Sequence, residues 1–387
     1  MKIDVGTLNL SQKHIDKVVE ALKSNRLSYG PMTNEFEQKF SKLHKNKYGI
    51  FTNSGTSALQ VALHAMKILY GWQDGDEVII PATTFVATYN VVLHNNLTPI
   101  LADIGFDKNL NPLEFRKKIT KRTRAVIPVH LLGKPADMEE INKIARKHKI
   151  KVIEDSCESM FMKGIGTGDV ACFSFYIAHL ITTGVGGMAI TNDQELADLM
   201  RSLIFHGRDH AYLNIDDDDD PDDLLKIIES RFRFNYPGYS YRGTEMEAAL
   251  GLVELENWKE MIKKRQTNAK YLVQHLFLEK TWDDPYWQNH AFMMFPFVVP
   301  KDDRDPLMFY MEKRGITTRT LMPLITQPYI AKTIDENDYP RAQSINWTWF
   351  LFGCHQDLTK ADLDYIIKTI ADYRKEKFNE ILKRVRK

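Results

Sequence analysis

Between Asn53 and Thr191 short apolar runs alternate with amphipathic segments, the pattern left when parallel strands are joined by crossover helices. Candidate strands are Glu77 to Ile80, Thr98 to Ala102, Ala125 to Val129, Lys151 to Glu154, Ala171 to Tyr176 and Gly187 to Thr191, most of them followed by turn or polar residues. Helices are expected over Ala58 to Tyr70, near Ala87 to His94 and over Asp137 to His148, where acidic residues lead and basic ones follow. The expected fold is α/β, a doubly wound and mostly parallel sheet. After it, Thr244 to Lys264 reads as one helix, and the mixed segments Met293 to Val299 and Ala361 to Lys387 suggest a smaller C-terminal α/β domain. The expected division is a large domain over 1–250 and a small one over 251–387.

A chain of 387 residues with 43% hydrophobic content can bury a core of that size. Lysine and arginine number 52 against 51 acidic residues, so no net field draws polyanions and a general nucleic-acid binder is not indicated. Cys157, Cys172 and Cys354 lack CxxC spacing and cannot pair evenly, which argues against a disulfide framework or a zinc ribbon. The N-terminal stretch has no apolar core of a signal peptide, and nowhere do about 18 uninterrupted apolar residues occur. A soluble protein of the cytoplasm, not of the membrane, is expected. Asp216 to Asp220, with Pro221, Asp222 and Asp223, should form an exposed loop, since no core accommodates such a run. It lacks the glycine and terminal glutamate of an EF-hand, so a solvated insertion is favoured over a calcium site.

Three stretches carry chemistry. Asn53-Ser54-Gly55-Thr56-Ser57 should open a helix whose free N–H groups, with the hydroxyls of Thr56 and Ser57, could cradle a phosphate. Taken alone, these residues are better explained as an ordinary N-cap. Lys151 to Asp155 is a strand ending in carboxylates, at the edge where open α/β sheets bind ligands. Asp155 could pair with a protonated ring nitrogen, or simply cap the next loop. Cys172 to Gly187 is a strand running through Ser174 and His179 into a glycine-rich turn.

With Tyr29-Gly30-Pro31, the Asn53 to Leu59 motif, Pro81 to Thr88 and Gly238 to Arg242, that last stretch resembles the DegT-type nucleotide-sugar aminotransferase family over nearly the whole chain. The resemblance implies a type I aminotransferase fold, a homodimer with sites at the subunit interface, and pyridoxal 5'-phosphate (PLP), or its amine form PMP, as cofactor. It implies that Gly55, Thr56 and Ser174 hold the phosphate, Phe85 stacks on the pyridine ring and Asp155 meets its nitrogen. Read alone, Phe85 would be a core aromatic and Ser174 an ordinary strand residue. Ser240 stands where the family usually has an asparagine reaching the partner subunit's phosphate.

The larger departure is His179, at the position of the family's lysine. An imidazole cannot bond covalently to the cofactor as a lysine amine does, and no lysine lies between Lys163 and Lys226. Histidine can move a proton in either direction near neutral pH. Glu158, three residues after Asp155, replaces the usual glutamine or histidine. Both departures resemble the lysine-less 3-dehydratase branch, to which GDP-4-keto-6-deoxymannose 3-dehydratases belong. An iron–sulfur version of that chemistry would need more than three scattered cysteines. The expected activity is removal of the C3 hydroxyl from a 4-keto-6-deoxy sugar nucleotide, with glutamate as amino donor and His179 as base and acid. The competing expectations are a sugar aminotransferase and a non-catalytic PLP-binding scaffold.

Overall fold

The computed structural model describes residues 2–208, 232–277, 286–322 and 324–385. The acidic run Asp216 to Asp220 lies outside the described residues. The main sheet has seven strands: β1 (Tyr48–Thr52), β2 (Glu77–Pro81), β3 (Thr98–Ala102), β4 (Thr123–Val126), β5 (Lys151–Asp155), β6 (Val170–Ser174) and β7 (Gly187–Thr191). They lie in the order β1-β7-β6-β5-β4-β2-β3. β2 to β6 pair in parallel, whereas β7 runs antiparallel to both β6 and β1. β6 and β7 are buried at every position because helices cover both faces, which is why they read as unbroken apolar runs.

Several sequence expectations are corrected here. β1 was not foreseen. Its Gly49 admits Glu37, whose carbonyl oxygen would lie 2.6 Å from a Cβ at that position. β4 stops at Val126, two residues before Pro128, and Val129 keeps only an isolated bridge to Asp155. β6 ends at Ser174, so Phe175 and Tyr176 already belong to the following loop. The single helix expected over Thr244 to Lys264 is two, Glu245–Glu254 and Trp258–Leu276. The chain turns at Asn257, and Trp258 then stacks on Phe161 with ring centroids 4.5 Å apart.

A second sheet, β8 (Phe295–Val298), β10 (Trp349–Phe352) and β9 (Thr318–Thr320) in that order, is wholly antiparallel. Its core is aromatic: Phe295, Phe297, Phe350 and Phe352 pack with residues of helices Trp258–Leu276 and Lys360–Val385, and with Ile3 from the other end of the chain.

The register of the large sheet assembles the site. Thr52 and Ser174 both pair with Gly187, and Asp155 pairs with Cys172, so the carboxyl ends of β1, β5 and β6 lie along one edge. A Cβ at Gly187 would lie 2.3 Å from the Ser54 carbonyl oxygen. Only glycine lets the start of helix Gly55–Leu69 press so closely against that edge.

Candidate active site

A cavity of about 1250 Å3 opens along this edge. Gly55, Thr56, Phe85, Asp155, Glu158, Ser174 and His179 all line it. Ser240 does not. It is exposed, accepts a hydrogen bond from the Arg242 guanidinium at 3.1 Å and forms a bridge with Phe205.

Helix Gly55–Leu69 points its N-terminus into the cavity. Ser54 caps it, its hydroxyl oxygen accepting the Ser57 N–H at 3.1 Å. The first N–H groups of a helix have no partner within it, and the helix dipole adds partial positive charge there. A Cβ on Gly55 would lie 2.7 Å from Ser174 Cβ and 2.8 Å from Cys157 Sγ, so the bare backbone is required for this approach. Ser174, buried beside it, also accepts the Tyr176 N–H at 3.4 Å. Phe85 is 57% exposed, which corrects its reading as a core aromatic: it stands at the cavity wall.

Asp155 is buried and held on both oxygens. Thr88 donates its hydroxyl to Oδ2 at 2.7 Å and the Cys157 N–H reaches Oδ1 at 3.2 Å, while Thr84 and Thr88 share a hydrogen bond of 2.8 Å. The threonine pair was missed in the sequence. Its i, i+4 spacing at the head of helix Val86–His94 was the available signal. Glu158 is also buried, accepting the Leu132 N–H at 2.7 Å. Burial pushes its carboxyl up to about 7; the Leu132 N–H opposes this and the Asp155 charge adds to it.

His179 lines the same cavity as Asp155, whose charge reaches its imidazole. Its Nδ1 bonds to the Cys157 carbonyl oxygen, which can only accept, so the proton is assigned to Nδ1 and Nε2 carries the lone pair. Burial holds the imidazole below its ordinary pKa; the hydrogen bond to Cys157 and the Asp155 charge work against that, and Arg265 reinforces it. A neutral ring with Nε2 open is a base ready to take a proton. Among the described residues lining the cavity the one lysine is Lys2, and its ammonium pairs with Asp4 at 3.1 Å.

Residues 9–371 match the model of the DegT/DnrJ/EryC1/StrS aminotransferase family. A GDP-perosamine synthase of Caulobacter vibrioides is 32% identical over 385 residues, covering 95% of this chain and 97% of that one. An uncharacterized protein of Methanocaldococcus jannaschii is 33% identical over 381 residues, covering 93% and 95%. Among solved structures, an aminotransferase from Psychrobacter cryohalolentis superposes with a TM-score of 0.85 at 26% identity, covering 96% of this chain and 99% of that one. A GDP-4-keto-6-deoxy-D-mannose-3-dehydratase of E. coli with bound hydrated PLP superposes with a TM-score of 0.83 at 24% identity, covering 95% and 99%, a likeness of fold. The family expectation drawn from the motifs is thus borne out, and the chain belongs to the DegT/DnrJ/EryC1/StrS aminotransferase family.

Proposed function

We propose that this protein is a PLP- and PMP-dependent 3-dehydratase acting on a 4-keto-6-deoxy sugar nucleotide. The observation that carries the proposal is His179: a neutral imidazole, Nδ1 tied to a carbonyl and Nε2 open, stands at the family's lysine position in a cavity whose one lysine among the described residues is ion-paired.

The donor set suits the cofactor. The N-terminus of helix Gly55–Leu69, the Thr56 and Ser174 hydroxyls and the absence of a side chain at Gly55 suit a phosphate, and the buried Asp155 carboxylate suits a protonated pyridine nitrogen. Phe85 would cover one ring face, Glu158 would lie beside the ring, and Ser240 would serve the site of the partner subunit in a homodimer. The cavity exceeds the roughly 300–1,000 Å3 typical of a small-molecule site, leaving room for a sugar nucleotide.

When bound, the cofactor supplies an electron sink that makes the proton on its amine-bearing carbon removable. His179 takes that proton at Nε2 and then, as imidazolium, donates one to the departing C3 hydroxyl. The Cys157 carbonyl holds the ring's orientation through both transfers, and Asp155 keeps the pyridine nitrogen protonated. Overall, glutamate is oxidised to 2-oxoglutarate and ammonia while the sugar loses its C3 oxygen, so atoms and electrons balance with no further reductant.

Transamination is the second reading, favoured by the perosamine-synthase relatives. The two differ in product. Incubation with glutamate and a panel of 4-keto-6-deoxy sugar nucleotides, read by mass spectrometry, should give a product one oxygen atom lighter together with free ammonia. A product that retains an amino group would establish the second reading instead.

A further inference from the structure

The N-terminal segment Ile3 to Thr7 joins the small sheet to the loop that carries His179. Ile3 is buried in the aromatic core; its N–H donates to the Gly315 carbonyl and its carbonyl accepts the Thr317 N–H, both at 2.8 Å. The Asp4 carbonyl then passes so near Gly353 that a Cβ there would lie 2.2 Å from it. At Gly6 a Cβ would lie 2.8 Å from Ala178 Cα and 3.3 Å from the Ile177 carbonyl oxygen, the two residues immediately before His179. Thr7 next donates its hydroxyl to Asp357 Oδ2 at 2.7 Å. Thr7, His179 and Asp357 together border both the main cavity and a second one of about 370 Å3.

We propose that residues 3–7 act as a clamp that sets the position of His179, with Gly6 and Thr7 as positioning residues for the imidazole. The inference rests on His179 being the proton carrier. Two independent contacts support it. Backbone meets backbone at Gly6 and Ala178 with no side chain to yield, and the Thr7–Asp357 hydrogen bond ties the segment one residue further on. Within the loop the His179 N–H donates to the Tyr176 carbonyl at 2.8 Å and the Thr183 N–H to the Phe175 carbonyl at 3.0 Å, and beyond it the His179 imidazole meets the Cys157 carbonyl while Leu180 and Ile181 are buried in the main core. Its face toward the cavity must stay clear for ligands. The clamp adds support just before His179, at Ile177 and Ala178, and a shift of the order of 1 Å in a proton carrier costs about a hundredfold in rate.

The test combines amide hydrogen exchange on the unliganded protein with steady-state kinetics for Gly6→Ala, Gly6→Val and Thr7→Val. In Gly6→Ala the amides of residues 175–186 should exchange about tenfold faster while those of β2 keep their wild-type rate. Its kcat should fall by about a hundredfold with KM within about twofold of wild type. Thr7→Val adds no bulk and should show the same pattern more weakly, which decides the matter should Gly6→Val fail to fold. Wild-type loop exchange in both Gly6→Ala and Thr7→Val would overturn the clamp. A His179→Asn variant run alongside separates the two proposals: full activity there refutes the proton-carrier role, whereas the loop exchange of the Gly6 and Thr7 variants tests the clamp directly.

Discussion

The imidazole of His179 has one nitrogen committed to the Cys157 carbonyl and one left over, and burial biases it toward the neutral form. Its titration in the unliganded protein, followed by NMR, should therefore have a midpoint below 6.5. In Asp155→Asn the midpoint should drop further, since the carboxylate charge favours the imidazolium. A midpoint above 6.5, or a rise in Asp155→Asn, would contradict this electrostatic picture. Glu158 has the opposite sign. Its carboxyl is raised from 4.5 to about 7 on folding, so the folded state holds a proton that the unfolded chain has already released. Ionising Glu158 thus removes stability as pH climbs from about 4.5 to 7, and the loss is complete above that window. Glu158→Gln cannot ionise. Chemical denaturation of the unliganded protein should show its stability relative to wild type increasing between pH 5 and 8, by about 3 kcal/mol at most. An unchanged difference across that range would show that the buried carboxyl is not coupled to folding.

Helix Gly55–Leu69 and the strand edge beneath it are the elements of the proposed phosphate cradle, and their contact tolerates no added atom. Gly55→Ala would place a methyl group against Ser174 and Cys157, costing about 1–3 kcal/mol of stability and shifting the helix start away from β6. Denaturation and cofactor titration should both register it; a variant with wild-type stability and affinity would show that the contact is not tight. Much of this layer was legible in the chain. β3 and β7 have the bounds read from their apolar runs, and Asp155 falls at the carboxyl end of β5 as the sheet-edge rule requires. β1 escaped because a glycine interrupts its five residues and its antiparallel pairing follows no crossover helix. The break at Asn257 escaped because apolar spacing persists through it while the chain changes direction. The Thr88 contact with Asp155 spans 67 residues of sequence, and a tertiary hydrogen bond of that kind leaves no local signature.

At the scale of the whole molecule, one subunit presents a large open cavity while Ser240 lies exposed outside it. The proposed homodimer gives that residue a destination in the neighbouring site. Sedimentation at working concentrations should therefore report a dimer, and a fully active monomer would contradict the shared-site arrangement. In the proposed reaction the helix N-terminus and the His179 loop serve a single task, moving a proton from a cofactor carbon to a sugar oxygen. The most direct test is the rate of C3 deoxygenation by His179→Asn, measured by mass spectrometry with glutamate and the 4-keto-6-deoxy sugar nucleotide that wild type consumes. An amide neither accepts nor donates a proton in this pH range, so the variant should bind cofactor as wild type does yet form no 3-deoxy product. Formation of that product at the wild-type rate would contradict the account.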